Sequence, residues 1–488
     1  MSWTPARVGA VAALAALAAA AFMAAGGRDF CLDDAWIHLA YAKSLKLGDG
    51  FAYNPGDRET GFSSPLWALL LALCPWGDDP VRATKALGAL FHAALAWGAS
   101  QLAWRSTPAE RAWPVALTAG LLVACDPLLV FSAVSGMEVS LTAALVVWTL
   151  SAAERLSAGA STPVAVSGGV LLGAAAVLAR VESLFLIGAF ALLSWSATRR
   201  RDALWPLLGA LLALGAWVLY CQQVSGYPWP NTYYAKRHAD LGEGIVYFGL
   251  RVLTAQAWSV GLSGLALVGY ALARSGPWRT LALAWLSAVI AIAGSRELLP
   301  NTLFYCSRYF AIFAALPCVL VASQLPERRL WRALALTPIV LANLWLLPAA
   351  QRLQRAQEDD IEKLHTQPAQ FVAATLPADA RLLVEGAGAT RFFAPRSMHV
   401  IDYVGLNYKA AVHARTLPER LCAVLQAHPT FIALPDAYAT SIQKSFAIQP
   451  LRTFIDRDYA LTINNKPHFL AVARVVGLTP SLRAMCGL

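Results

Sequence analysis

The chain has 488 residues, 58% of them hydrophobic and 14% charged, with 17 Trp. A soluble domain carries about 25% charged residues, so the composition excludes an ordinary soluble enzyme and marks a polytopic α-helical membrane protein. The net charge of +10 does not indicate a nucleic-acid partner, because the arginines fall in short loops between apolar segments, where orientation in the bilayer accounts for them.

The chain opens on an apolar segment, Ala6 to Ala25, long enough to cross a bilayer and read as an uncleaved first span. A long polar interruption follows, FCLDDAWIHLAYAKSLKLGDGFAYNPGDRETGFSSPLW from Phe30 to Trp67. It begins with two adjacent carboxylates, Asp33 and Asp34. The apolar residues Ile37, Tyr41, Ala42 and Leu45 recur at helical spacing, which predicts an amphipathic helix along the interface with Asp33 as its N-cap. One carboxylate of the doublet can cap while the other faces a cavity. The Gly, Pro, Asn and Asp residues that follow predict ordered turns. The apolar stretch Ser64 to Pro75 is too short to cross and predicts a second interfacial helix.

Ten further spans are expected, approximately Val81–Trp104, Ala112–Cys125, Met137–Ala153, Pro163–Ala179, Ser183–Ala197, Ala203–Val224, Ile245–Ala273, Thr280–Gly294, Tyr309–Gln324 and Ala333–Pro348, about eleven in all. With Arg7 inside, the loops carrying Arg105 and Arg111, Arg155, Arg199-Arg200-Arg201, Arg274 and Arg279, and Arg328, Arg329 and Arg332 also fall inside, as the positive-inside rule requires. The outer loops hold Asp33 and Asp34, Asp126, Glu138, Arg180 and Glu182, then Lys236 and Arg237, then Arg296 and Arg308. Cations on the outer side run against the bias, and an anionic ligand there explains them. The apolar stretches flanking Arg180 run only about sixteen residues, roughly 24 Å against a hydrocarbon thickness near 30 Å. Arg180 and Glu182 should therefore sit below the outer surface, lining a cavity or pinning a hairpin as an ion pair.

From Gln351 onward the pattern becomes α/β. A helix over Asp360 to Leu376 is predicted, then strands Arg381–Val384, His399–Ile401, Phe431–Leu434, Tyr459–Ile463 and Phe469–Val475. Residues 1–350 thus form the membrane part, with a first outer loop over 27–80, and 351–488 an α/β domain outside. The run EGAGATRFF, Glu385 to Phe393, lacks the third glycine and acidic partner of a dinucleotide site and reads as a tight turn. The eight cysteines show no paired spacing, supporting neither a zinc site nor a disulfide framework.

The string DDAWIHLAYAKSLKLGDGFAYNPGDRETGFSSPLW, followed by SGME, ARVESLFL, PNTYYAK and IDYVGL, resembles polytopic glycosyltransferases of the GT-C superfamily, in particular the mycobacterial terminal β-1,2-arabinofuranosyltransferase family. The resemblance implies a multi-pass protein of the bacterial cytoplasmic membrane. Its substrates would be a polyprenyl-phosphate sugar donor and a glycan, lipid or protein acceptor outside the membrane. By motif position the catalytic base maps to Asp33, with Asp34 as its neighbour. The chain departs from the family pattern at Trp36, His38, Asp57 and Thr60, where Thr60 removes a carboxylate, so a specific sugar is not carried over.

The chemistry agrees. Inverting transfer needs one carboxylate to take the acceptor hydroxyl proton, and the leaving lipid phosphate calls for cations, here Arg180, Lys236, Arg237 and Arg308. His38, one turn after Asp34, can orient that carboxylate or join a metal site, or stand simply as a solvated or capped interfacial histidine. Tyr53 and Asn54 of the first loop, with Glu138, Glu182, Asn231, Tyr233 and Tyr234, are supporting residues. Asn231 serves to shape a turn, and the tyrosines either stack on substrate or sit in the interfacial aromatic belt. No metal or cofactor is expected beyond the lipid-linked donor. The alternative is a lipid or sugar transporter, disfavoured because the charged groups gather on one side instead of at the midplane.

Overall fold

The computed structural model describes residues 3–235, 260–261, 264–274, 276–295, 311–414, 416–435, 446–458 and 468–487. In chain order it has α1 (Pro5–Ala24), α2 (Asp33–Lys46), strands β1 (Ala52–Asn54) and β2 (Asp57–Arg58), then α3 (Pro65–Leu73), α4 (Pro80–Arg105), α5 (Ala109–Cys125), α6 (Pro127–Ala133), α7 (Val139–Ser157), α8 (Pro163–Ala179), α9 (Ser183–Thr198), α10 (Trp205–Ser225) and α11 (Asn231–Ala235). Next come α12 (Gly264–Ala273), α13 (Pro277–Ser295), α14 (Ala315–Gln324), α15 (Arg329–Ile361) and α16 (Gln367–Thr375). The chain ends with β3 (Arg381–Val384), α17 (Ala387–Phe393), β4 (His399–Asp402), α18 (Lys409–Val412), α19 (Leu417–Gln426), β5 (Phe431–Pro435), β6 (Phe446–Asp456), β7 (His468–Leu478) and α20 (Pro480–Cys486).

These elements fall into two units. The first comprises Met1–Gly26, Thr84–Trp217 and His238–Leu353, and the second Gly27–Ala83, Val218–Arg237 and Gln354–Leu488. The loop over 27–80, placed from sequence with the membrane part, therefore belongs by its contacts with the C-terminal residues.

The first unit is helical. Among the described residues four helical stretches, two of which extend into the second unit, are long and apolar enough to cross a membrane: Pro5–Ala24, Val139–Ser157, Arg201–Ser225 and Arg329–Thr375. A fifth is formed if α5 and α6, bent by 59° at their junction, make one span. The bend is written in the sequence: Pro127 starts α6, and the Asp126 carboxylate caps it by accepting from the Leu128 and Leu129 N–H groups, both at 3.0 Å.

The second unit is built on a five-stranded sheet of order β4-β3-β5-β7-β6, parallel across the first three strands and antiparallel across the rest. Its core includes Leu383, Ile401, Val424, Ile432, Leu434 and Phe446. Strand β6 has no counterpart in the sequence reading, because Gln449, Pro450 and Arg452 break the apolar alternation that marks a strand. The expected strand at Tyr459–Ile463 lies outside the described residues.

A disulfide joins Cys422 of α19 to Cys486 of α20. This corrects the expectation of no disulfide. The two cysteines stand 64 residues apart, and local spacing carries no trace of such a pair.

Helix α2 also differs from expectation. Every residue from Ala35 to Ala42 is buried, so α2 is a packed helix and not an amphipathic one lying on an interface. Trp36 explains why. Its ring packs between Phe392 and Phe393, with centroids at 4.9 and 5.1 Å, and meets Phe30 edge-on at 5.2 Å. Its indole N–H donates to Asp29 at 2.9 Å. The short helix α3, capped by Ser64, buries Trp67, Ala68 and Leu71 and exposes Leu69 and Leu73.

Candidate active site

The carboxylate doublet opens α2 within the second unit. Asp33 is the first helical residue and Leu32 occupies the cap position without a side-chain bond. Asp33 thus does not cap its own helix. Its carboxylate reaches across 355 residues of sequence to the start of α17, where Oδ2 accepts from the Gly388 N–H at 2.7 Å and Oδ1 from Ala389 at 2.9 Å. The run EGAGATRFF therefore is a bend at Glu385 directly after β3, a cap at Gly386 and a helix start whose unpaired amides find their acceptor in α2. Gly388 has to be glycine for this approach, since a Cβ there would lie 2.3 Å from the Asp33 carbonyl oxygen and 2.7 Å from the Ile37 nitrogen.

Three more ionisable groups stand at this corner, and sequence reasoning singled out none of them. His365 places Nδ1 3.6 Å from Asp33 Oδ1. Glu385, the residue before the turn, is pushed up to about 7 by burial, with the negative charges of Asp33, Asp402 and Asp34 adding to the shift. Asp402, pushed up to about 6 by burial, accepts from the backbone N–H groups of Val404, Gly405 and Asn407 and from the Asn407 amide. It ties the IDYVGL segment into a closed turn. Asp34 is half-buried. His38 is buried, and its Nδ1 lies 3.1 Å from the Asp34 backbone oxygen.

The first loop is held to the same domain by the residues named as supporting. Tyr53 donates to the Ala387 carbonyl at 2.7 Å. Asn54 pairs with Val400 of β4 in both directions, donating at 3.0 Å and accepting at 2.9 Å, and accepts also from Arg391 at 3.2 Å. Tyr41 donates to Asn407 at 2.9 Å and accepts from the Gly61 N–H. Beside Thr60, Glu59 is 1% exposed. It accepts from the Asn231 amide at 2.8 Å and from the Lys409 N–H at 3.2 Å, and burial pushes it up to about 7. Asn231 also donates its backbone N–H to Thr60. Tyr233 and Tyr234 form an aromatic group with Tyr227 and Trp229, and Tyr227 stacks on His413 at 3.5 Å.

Glu138, Arg180 and Glu182 lie in the first unit. The Arg180 guanidinium, 2% exposed, bonds Glu138 through Nη1 and Glu182 through Nη2, the latter at 2.7 Å. The short loop at Arg180 is thereby pinned by a buried ion triad. Lys236, Arg237 and Arg308 lie outside the described residues. Among the described residues, no group of three or more His, Cys, Asp or Glu side chains is arranged to hold a metal ion.

Comparison of the whole chain with solved structures gives matches of near-complete coverage. ArnT from Cupriavidus metallidurans bound to undecaprenyl phosphate aligns with a TM-score of 0.63 at 12% identity, covering 96% of this chain and 97% of that one. The chain has a GT-C-like fold. The oligosaccharyltransferase of Archaeoglobus fulgidus, tethered to an acceptor peptide, aligns at 0.55 with 13% identity over 91% of this chain and 72% of its own. The same archaeal enzyme, AglB, in complex with an inhibitory peptide and a dolichol-phosphate, aligns at 0.55 and 13% identity over 99% and 77%. Residues 350–474 match a domain of unknown function, DUF8728. No curated protein matches the chain. At these identities the GT-C-like likeness is one of fold.

Proposed function

We propose that the protein is a membrane glycosyltransferase that moves a sugar, hexose or pentose, from a polyprenyl-phosphate donor to a glycan, lipid or protein acceptor, with inversion. The observation that carries the reading is a carboxylate doublet fixed at the head of α2 by the β3–α17 corner, in a chain whose whole length follows a GT-C-like fold. Two solved proteins of that fold are described in complex with a polyprenyl phosphate, undecaprenyl phosphate in one and dolichol-phosphate in the other. That supports a lipid-phosphate donor here.

In the proposed reaction one carboxylate of the doublet takes the acceptor hydroxyl proton as that oxygen attacks the anomeric carbon. The bond from that carbon to the phosphate oxygen breaks, and the lipid phosphate leaves with its charge. No general acid is needed. Cations stabilise the leaving group, and Lys236, Arg237 and Arg308 take that role. Arg180 is a weaker candidate, because the triad with Glu138 and Glu182 carries a net negative charge if all three groups are ionised, and would repel a phosphate.

The arginine pattern supports about eleven spans with the first loop and residues 351–488 outside the cytoplasmic membrane. The disulfide between Cys422 and Cys486 supports the same side, since disulfides persist in oxidising compartments. The test is transfer of radiolabel from a panel of undecaprenyl-phosphate pentoses and hexoses to a membrane fraction. Label should move to a product no longer extracted with the donor. Movement of intact donor across the bilayer without bond cleavage would instead establish a transporter.

A further inference from the structure

Between α15 and α16 the chain makes one π-helical turn, Glu362–Thr366, wider than a turn of α-helix and of a kind that recurs at functional sites. Its side chains are held from two directions. The Thr366 hydroxyl donates at 2.5 Å to Asp29, which also accepts the Trp36 indole N–H at 2.9 Å, so the turn is kept in register with α2. Lys363 is taken up by Asp456 of β6 at 3.1 Å. Between them His365 reaches the head of α2, its Nδ1 3.6 Å from Asp33 Oδ1. A glycine makes the seat for this ring, because a Cβ on Gly386 would press on Nδ1 and lie 2.9 Å from Cε1. The two glycines of EGAGATRFF thus admit the two partners of this corner, Gly386 the ring of His365 and Gly388 the first turn of α2.

His365 Nδ1 is buried and has no hydrogen-bond partner among the described residues. A buried ring nitrogen left unmatched is costly. The group it faces, the Asp33 carboxylate, offers only acceptor atoms, which places a ring proton on Nδ1. At 3.6 Å the pair stands just outside bonding range, and catalytic hydrogen bonds often stand long in the free enzyme and tighten when substrate binds. An ionised carboxylate has about four lone-pair sites. The Gly388 amide takes one on Oδ2 and the Ala389 amide one on Oδ1. With His365 on the second site of Oδ1, one on Oδ2 is left.

We propose that His365 is a positioning residue that acts through Asp33: its Nδ1–H closes the third site of the carboxylate and leaves a single lone pair, on Oδ2, to receive the acceptor proton. This rests on the glycosyltransferase reading with Asp33 as the base. The acceptor hydroxyl proton passes to Oδ2 as its oxygen bonds the anomeric carbon, and the electron pair of the broken carbon–oxygen bond leaves on the lipid phosphate. His365 neither gains nor loses a proton in the step. It fixes the side of the carboxylate on which the acceptor is taken.

The test compares His365→Leu and His365→Asn in the full-length protein in nanodiscs, using radiolabelled undecaprenyl-phosphate sugars as donors and a membrane fraction as acceptor. Leucine fills the seat without a donor, and asparagine puts an amide nitrogen where Nδ1 stands. His365→Leu should lower kcat by about 10- to 100-fold, the scale of one hydrogen bond to a charged group, with the donor KM and Tm unchanged. His365→Asn should restore kcat to near the wild-type value. On an Asp33→Asn background, His365→Leu should add no further loss to the residual rate, as two residues acting as one unit require. A His365→Leu enzyme with wild-type kcat overturns the proposal, and so does a His365→Asn enzyme as slow as His365→Leu, which would make the ring a packing element. A full His365→Leu loss that persists on Asp33→Asn also overturns it, since His365 would then act elsewhere. Should His365→Leu fail to fold, His365→Asn decides alone, near-wild-type kcat supporting the proposal and a 10- to 100-fold loss overturning it, about the same hydrogen-bond scale applying. If Asp33→Asn transfers as the wild type does, this role is overturned while the glycosyltransferase reading stands. A wild type that transfers from no donor removes that reading and this one with it.

Discussion

Replacing Gly388 by alanine probes the join between α2 and α17 without touching a carboxylate. The added methyl would sit 2.3 Å from the Asp33 carbonyl oxygen, 2.7 Å from the Ile37 nitrogen and 2.8 Å from Trp36 Cβ. The two nearest are backbone atoms, so no rotamer change relieves the clash. The helices must separate by roughly 1 Å to reach ordinary contact, which carries the bonds from Gly388 and Ala389, now 2.7 and 2.9 Å, out of hydrogen-bonding range. Overpacking costs about 1–3 kcal/mol, and loss of the cap adds about 1 kcal/mol, so Gly388→Ala should destabilise the second unit by about 2–4 kcal/mol. A misplacement of about 1 Å at a reacting group costs about a hundredfold in rate. The assay is kcat and donor KM for label transfer together with a melting curve of the purified protein, and the loss should fall on kcat. A Gly388→Ala protein with wild-type kcat and an unchanged Tm would refute the claim that this corner sets the carboxylate geometry.

Burial holds the Glu59 pKa at about 7 in the folded protein, above its value in the unfolded chain, so the folded state keeps a proton that the unfolded state gives up. Its contribution is full at low pH and is lost as pH rises to about 7, worth about 3 kcal/mol over that window. Melts of Glu59→Gln and wild type between pH 5 and 8 should therefore diverge in favour of the variant as pH rises, and a constant gap across that range would count against the shift. Reducing the Cys422–Cys486 bridge, or Cys486→Ser, should cost about 4 kcal/mol by loop-entropy reasoning, read as a lower Tm with dithiothreitol; identical melts with and without reductant would show that the bridge contributes nothing. Arg180→Met leaves Glu138 and Glu182 buried without their cation and should destabilise by about 3–5 kcal/mol, seen as poor recovery of folded protein, with the surviving fraction showing an unchanged donor KM. A raised donor KM in well-folded Arg180→Met would return Arg180 to the phosphate site.

The helices were legible because apolar runs and arginine-bearing loops alternate along the chain, and the strands β3, β4, β5 and β7 because short apolar runs follow turn residues. The doublet Asp33–Asp34 was legible as chemistry for the same reason, two charges standing alone beside an apolar segment. Its geometry was not. Asp33 finds its partners at Gly388 and Ala389, and nothing local distinguishes an aspartate that caps its own helix from one that caps another. Glu385 and His365 carry no pattern in sequence and acquire a role only through the turn at Gly386. Helix α2 looked amphipathic because its apolar period was visible, whereas the burial of its polar face by α17 and the first loop is a tertiary event.

The pairing of Asn54 with Val400 has a bearing on solubility as well as on the site. Strand β4 ends the row of strands, and an outermost strand offers its unpaired amides and carbonyls to any passing chain. A single asparagine, imitating the backbone of a neighbour, takes up one donor and one acceptor of that border, and Arg391 is drawn to the same amide. Substituting Asn54 would thus do more than loosen the first loop: it would uncover a template on which two molecules could zip together.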